Sequence, residues 1–320
     1  MMRHLVRGLA AIVFLFPVAA AAQDWPAKQP IKIVVPFTAG SATDITARTV
    51  FEQVGRQVGQ TFVVENRGGG GTTLGMAQAA KAEPDGYTML VHSTSHVVVA
   101  STYPNLPFNV AEDFAAVSAL ANVPFVIAAA TKHKTLKDMV AAGKAPGSVI
   151  HYGSAGAGSS GHLFMERFRL AAGFPATHVP FRGTPEGMTE VIAGRIDMYP
   201  APILNAIPLA KDGKVHALAV STAKRAPLMP DVATVAEAGL PNAEYNFWVG
   251  AFLPAKTPRP IVDRLNKEIL AALKVQSVAD KIIALGGDPM PMSSAEFDKF
   301  VRSEIAINAE IVKASGYQPQ

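Results

Sequence analysis

Two stretches of small and hydroxyl-bearing residues are the parts of this chain best suited to chemistry. The first is Pro36-Phe37-Thr38-Ala39-Gly40-Ser41-Ala42-Thr43-Asp44. The second is Tyr152-Gly153-Ser154-Ala155-Gly156-Ala157-Gly158-Ser159-Ser160-Gly161-His162. Each follows a short apolar run and precedes a longer amphipathic one, the pattern of a strand-to-helix turn. Glycine and alanine let a guest approach the main chain, and the first N–H groups of a helix have no intrahelical partner. The helix start also carries a partial positive charge, so such a turn holds a carboxylate or phosphate without Arg or Lys. No basic residue follows either loop before Arg48 or Arg167, so backbone and hydroxyl groups must make the contacts. Ser and Thr also favour helix starts for purely local capping reasons, and either loop alone reads equally well that way. Two such loops in one chain point to binding, because ligands of open α/β sheets sit beyond the carboxyl ends of the strands.

Other motifs are weaker. Gly156-Ala157-Gly158-Ser159-Ser160-Gly161 matches a dinucleotide loop, but the position for its acidic partner about 20 residues on holds Thr177, His178 and Val179. No phosphate-binding G-x-x-x-x-G-K-[ST] is present. Gly158-Ser159-Ser160-Gly161-His162 has the wrong spacing for a nucleophile elbow, and no Asp lies near it. His92 and His96 are four apart without an accompanying carboxylate, which favours a polar pocket wall over a metal site. His151 and His178 read as hydrogen-bonded structural residues. No catalytic set, metal site or cofactor is expected.

These loops need strands and helices to hold them. Residues 31–37 form a buried-strand pattern, followed by a helix over 43–58, a strand over 62–65, a loop at 67–71, a helix through 76–81 and a strand over 87–92. The rhythm returns with strands at 149–152, 178–181 and 196–199 and helices at 160–172 and 185–193. Alternation of this kind means βαβ units and mostly parallel sheets. Two longer extended stretches, 116–130 and 215–221, read as crossings between two lobes. The returning part holds a strand over 246–253 and helices over 258–273, 278–285 and 295–314. Lobe one is thus expected over 23–122 and 222–320, and lobe two over 123–221.

The first residues read as an address. Arg3 and Arg7 precede an apolar run over 8–18 and small residues at 19–22, the pattern of a signal peptide over 1–22 cut after Ala22. Removing it leaves 298 residues with a formal charge of +2, too near neutral for a nucleic-acid footprint. The chain has no cysteine, hence no disulfide framework and no lipid-attachment cysteine. A soluble periplasmic location is expected.

With these marks in view, the chain resembles the Bug family, the extracytoplasmic solute receptors of tripartite tricarboxylate transporters. The likeness runs from Trp25 to about Gly316. It rests on Trp25-Pro26 with Pro30-Ile31, Val35-Pro36-Phe37, Val64-Glu65-Asn66-Arg67, Pro84-Asp85-Gly86-Tyr87-Thr88, Tyr152-Gly153-Ser154-Ala155-Gly156 and Gly161-His162-Leu163. His178-Val179-Pro180-Phe181, Gly194-Arg195-Ile196-Asp197, Ala223-Lys224-Arg225 and Pro230-Asp231-Val232 extend it. The resemblance implies an α/β type II periplasmic binding protein, two Rossmann-like lobes joined by two crossing strands, that grips a carboxylate between its two loops. Carried over, that points to Thr38, Ala39, Gly40, Ser41, Thr43 and Asp44 on one lobe and Ser154, Ala155, Gly158, Ser159 and Ser160 on the other. It implies membrane permease subunits as partners and no enzymatic activity. A monomer is expected, because both halves of the site come from one chain.

Three departures from the family pattern bear on the ligand. Ser41 follows Gly40 where a second glycine is common, Met198-Tyr199-Pro200-Ala201-Pro202 replaces an Asp-Asn ending, and His92 and His96 stand where small residues are common. Only Asp44 in the two loops could meet an ammonium group. Ser93 and His96 with their hydroxyl neighbours add donors, and Phe37, Phe181 and Tyr199 add apolar lining; Trp248 reads as core. An aromatic dicarboxylate of the terephthalate type suits such a pocket. An aliphatic di- or tricarboxylate (citrate, adipate type), or a ligand sensor feeding a signalling kinase, is the alternative.

Overall fold

The structure is a computed structural model and describes residues 25–315 and Tyr317. The signal segment expected over 1–22, with its cut after Ala22, lies outside the described residues. In chain order the first part holds β1 (Ile31–Val35), α1 (Ala42–Val58), β2 (Phe62–Asn66), a 3-10 turn at Gly70–Thr72, α2 (Thr73–Ala80), β3 (Thr88–Ser93), α3 (Ser95–Thr102) and β4 (Phe114–Asn122). Next come β5 (Phe125–Ala129), α4 (Leu136–Lys144), β6 (His151–Ser154), α5 (Ser160–Ala172), β7 (Thr177–Pro180), α6 (Thr184–Ile192), β8 (Met198–Pro202), α7 (Ile203–Lys211) and β9 (His216–Val220). The last part holds β10 (Trp248–Pro254), α8 (Arg259–Lys274), α9 (Gln276–Ala284), β11 (Asp288–Pro289) and α10 (Ser294–Ser315).

The strands form two sheets, one of six strands in the order β11-β4-β10-β3-β1-β2 and one of five in the order β7-β6-β8-β5-β9. β1 pairs parallel with both β2 and β3, and its Ile31, Ile33, Val34 and Val35 are all buried. That continuous apolar run suits a strand covered on both faces. β6 repeats the arrangement in the second sheet, parallel to β7 and β8. Each sheet thus has a strand flanked by parallel neighbours, and each such strand carries one of the two loops at its carboxyl end. This is the α/β fold of two lobes that the alternating pattern implies.

The chain passes from the first sheet to the second between Asn122 and Phe125, and returns between Val220 and Trp248. The stretch 116–130, read from its composition as one extended run, is two strands in different sheets. Val123-Pro124 makes the break, because a proline has no N–H to continue the ladder. There Val123 N–H donates to Phe247 O, and Pro124 O accepts from Ile203 N–H. The C-terminal helix α10 packs on α3 and β4 and reaches α5 under the other sheet.

Three helices escape the sequence pattern. α3 carries Val97-Val98-Val99, β-branched residues that read as strand. α7 has Pro208 inside it. α4 is nine residues long, though Thr135 and Asp138 form a capping box at its start.

Candidate functional site

The first loop is built around Asp44. Ser41 caps α1, its hydroxyl accepting from Asp44 N–H at 3.3 Å, while Gly40 N–H donates to Asp44 Oδ2 at 2.9 Å. Gly40 has φ +78°, a left-handed conformation that a side chain would strain. Arg48 Nε and Asn66 Nδ2 donate to Asp44 Oδ1 at 3.0 and 2.9 Å. Burial would raise the Asp44 carboxyl, but the bonds from Arg48, Gly40 and Asn66 outweigh it and hold the group below its usual value. Asp44 therefore braces the loop and is not free to meet a cationic guest. Ser41 N–H is taken by Thr38 O and Asp44 N–H by the Ser41 hydroxyl. Among the described residues that leaves the N–H groups of Ala42 and Thr43 in the first turn of a 17-residue helix.

The second loop is braced by histidines. Ser154 Oγ donates to Gly156 O at 2.9 Å, accepts from Gly156 N–H, and lies 2.7 Å from His178 Nε2. Ser159 caps α5 by accepting from His162 N–H at 3.3 Å. Gly158 N–H donates to His162 Nδ1 at 3.0 Å, which leaves the proton of that imidazole on Nε2. The His162 and His178 rings stack at 3.7 Å. Burial holds both uncharged at neutral pH, His162 at about 4 and His178 at about 3; Arg169 lowers His162 further, and the mutual repulsion the two rings would feel if protonated lowers His178. Ser159 N–H goes to Gly156 O and Ser160 N–H to Ser95 Oγ, so Gly161 N–H is the one left in the first turn of α5 among the described residues.

Both loops face one small cavity between the sheets, with about 20 Å³ of room for the centres of water-sized molecules. Its polar side is made by Ser41, Ala42 and Thr43 of α1, Ser95 of α3, Ser160 and Gly161 of α5, and Thr184 of α6. Every one of these residues stands at the start of a helix, and neither Lys nor Arg lines the space. Its apolar side is made by Phe37, Phe125, Tyr199, Pro200, Pro202 and Phe247, with Ala155 between. Tyr199 is 1 % exposed, and its hydroxyl has no hydrogen-bond partner of acceptable geometry among the described residues, although Thr184 lies beside it. Burial pushes that phenol up, so it stays protonated. An unpaired buried hydroxyl costs about 1–3 kcal/mol.

The two lobes touch around the cavity. Ser95 Oγ lies 3.0 Å from Ser160 Oγ and accepts from Ser160 N–H at 3.0 Å. Asn205 Nδ2 donates to Gly40 O at 3.0 Å, Tyr103 OH to Ala157 O at 2.7 Å, and Thr102 Oγ1 to Gly158 O at 3.2 Å. Gly156 packs against Gly71, where a Cβ on Gly156 would come within 2.9 Å of Gly71 Cα. These contacts bring the elements on either side of the cavity together.

Of the sixteen residues singled out from sequence, six line the cavity: Phe37, Ser41, Thr43, Ala155, Ser160 and Tyr199. The other ten do not. Ala39 is exposed, and Thr38 packs against Gly183. The polar groups of Gly40, Asp44, Ser154, Gly158 and Ser159 are engaged within the loops or across the lobe contact. Ser93 supports Ser95 through its hydroxyl, and Phe181 lies behind Tyr199 with ring centroids 6.5 Å apart. His96 is the clearest correction to the pocket-wall expectation. It is fully buried, stacked on Phe252 at 4.0 Å and edge-on to Phe114, and burial lowers it to about 3. His92, also fully buried, bonds Thr72 Oγ1 at 3.1 Å. Trp248 lies in the core, as read. Ala42, Ser95, Phe125, Gly161, Thr184, Pro200, Pro202 and Phe247 were missed. Thr184-Pro185 carried a usable signal, since proline in the first turn marks a helix start.

Residues 46–317 match the model of the tripartite tricarboxylate transporter family receptor. A protein of Agrobacterium vitis encoded in the TAR-I ttuE-ttuC' intergenic region is 35% identical over 307 residues, covering 94% of this chain and 89% of its own. Among solved structures, an R. palustris protein with adipate superposes with a TM-score of 0.88 at 31% identity, covering 93% of this chain and 100% of that one. MatC from Rhodopseudomonas palustris with bound malate superposes with a TM-score of 0.84 at 30% identity, covering 89% and 99%. Proteins of this kind are periplasmic binding receptors, not enzymes. A match over most of its length, with the same fold, means that this chain belongs to the receptors of the tripartite tricarboxylate transporter family.

Proposed function

We propose that this receptor captures a small dicarboxylate in the cleft, an aromatic one of the terephthalate type, and delivers it to the membrane subunits of a tripartite transporter. The observation that carries this reading is the convergence on one cavity of unpartnered first-turn N–H groups from opposite lobes, at Ala42 and Thr43 and at Gly161. Oriented amides and helix starts favour an anion there without a basic side chain. The aromatic and proline side, with Phe37, Phe125, Phe247, Pro200 and Pro202, suits a flat apolar body between charged ends. Residues 23–122 with 222–320 act as one lobe and 123–221 as the other, swinging about the two crossings, in a protein that works as a monomer. A guest favours closure only by binding the closed form better than the open one.

A second reading is an aliphatic dicarboxylate, favoured by the adipate and malate held by the two R. palustris proteins. A thermal-shift screen with terephthalate, phthalate, adipate, malate, citrate and benzoate separates the two. A ligand at about 100 times its Kd adds roughly 2.7 kcal/mol of stability. The largest shift is expected with terephthalate; a larger shift with adipate or malate selects the aliphatic reading. Ser160→Asp is expected to abolish binding, because it sets a carboxylate against the bound one. No shift with any of these acids would overturn the proposal.

A further inference from the structure

The cavity has a second polar corner that the two loops do not supply. Tyr199 of β8 and Thr184 at the first position of α6 both line it. The ring of Tyr199 is held in a slot made by two missing side chains. A Cβ on Gly153 would lie 2.6 Å from Tyr199 Cδ2, and one on Gly187 would lie 2.1 Å from Cε2 and 3.1 Å from Cζ. Neither glycine has a left-handed backbone, so space and not conformation requires them. The slot sets the hydroxyl end of the ring against the first turn of α6, where Gly183 offers no side-chain cap and Pro185 has no N–H. The Tyr199 hydroxyl is buried there beside Thr184, with no hydrogen bond of acceptable geometry among the described residues. A neutral phenol in that setting is a donor waiting for an acceptor oxygen.

We infer that Tyr199, with Thr184 beside it, is a specificity-determining donor that receives the second oxygen-bearing group of the ligand and so selects dicarboxylates over monocarboxylates of the same body. The inference rests on the carboxylate reading above and adds the residue that counts the carboxylates. A monocarboxylate satisfies the first-turn amides of α1 and α5 and leaves this hydroxyl buried and unpaired, which is how a polar site rejects an analogue that lacks the matching group.

Titration calorimetry with two matched pairs, terephthalate against benzoate and adipate against hexanoate, tests it on whichever pair the wild type binds. Tyr199→Phe keeps the ring in its slot and removes only the donor. It is expected to weaken the dicarboxylate roughly 10-fold, the loss of one buried hydrogen bond, and the monocarboxylate less than about 3-fold. Thr184→Val is expected to shift the same ratio in the same direction, and carries the test if Tyr199→Phe does not fold. Equal losses for both members of a pair, or no loss, while Ser160→Asp still abolishes binding, would overturn this inference and leave the carboxylate reading standing. If the wild type binds neither pair, or Ser160→Asp binds as the wild type does, both fall together.

Discussion

Asp44 is the acidic residue of the first loop, and its surroundings bear on what the site accepts. Its carboxylate is held by Arg48, Asn66 and the Gly40 N–H, which uses its acceptor capacity inside the loop. Neither Asp44 nor any other acidic residue among those described lines the cavity. An ammonium group brought there would be buried without a counter-charge, at a cost of roughly several kcal/mol even after relaxation. Glutamate should therefore bind at least about 10-fold more weakly than glutarate, which has the same chain without the amine. Competition titrations check this, and equal affinities would mean that Asp44 turns toward the guest.

At the scale of elements, closure depends on how nearly the loop after β1 and the start of α6 can approach. Gly183 has an extended backbone that any residue adopts, yet a Cβ there would lie 2.1 Å from Thr38 Oγ1 in the other lobe. Gly183→Ala should hold the lobes slightly apart without disturbing either sheet. The expected result is a ligand affinity lower by about 10-fold, with a melting temperature of the free protein near that of the wild type. Small-angle scattering should show a smaller ligand-induced compaction. Adding Thr38→Ala should restore much of the loss by removing the clashing hydroxyl; no rescue would place the effect within α6 itself.

At the scale of the whole molecule, four histidines among the described residues are held uncharged by burial, in two groups, one in each lobe. His92 and His96 sit among Phe37, Phe114 and Phe252, and His162 and His178 among Tyr152, Tyr317 and the Glu166–Arg169 pair. Burial lowers all four, His96 and His178 to about 3 and His162 to about 4. A histidine depressed in the folded state contributes stability that is fully present above its unfolded pKa of about 6.5 and is lost as pH falls toward the folded value. The depressed carboxylates Asp44 and Asp197 begin to contribute in the same direction only near and below pH 4. Scanning calorimetry between pH 7.5 and 4.5 should therefore show a melting temperature that falls steadily below about pH 6.5. A flat profile over that range would mean that these imidazoles are solvated or charged in the folded protein.

Much of this was legible in the sequence because it is local. Small residues between an apolar run and an amphipathic one mark a strand-to-helix turn wherever the chain later puts it, and α5 begins and ends where its pattern does. The alternating rhythm implied two α/β lobes for the same reason, since a strand buried on both faces must be apolar throughout. The partners within the cavity were not local. Ser95 meets Ser160 across 65 residues, and Phe125 and Phe247 become walls only because both crossings run past one end of the cleft. His92 and His96 looked like polar lining because sequence shows polarity and not direction, and only packing against Phe114 and Phe252 turned His96 into the core. The sequence by itself determined that amide-rich helix starts would exist. Tertiary structure alone decided which of them share a cavity, because that depends on the register of two sheets brought together by contacts far apart in the chain.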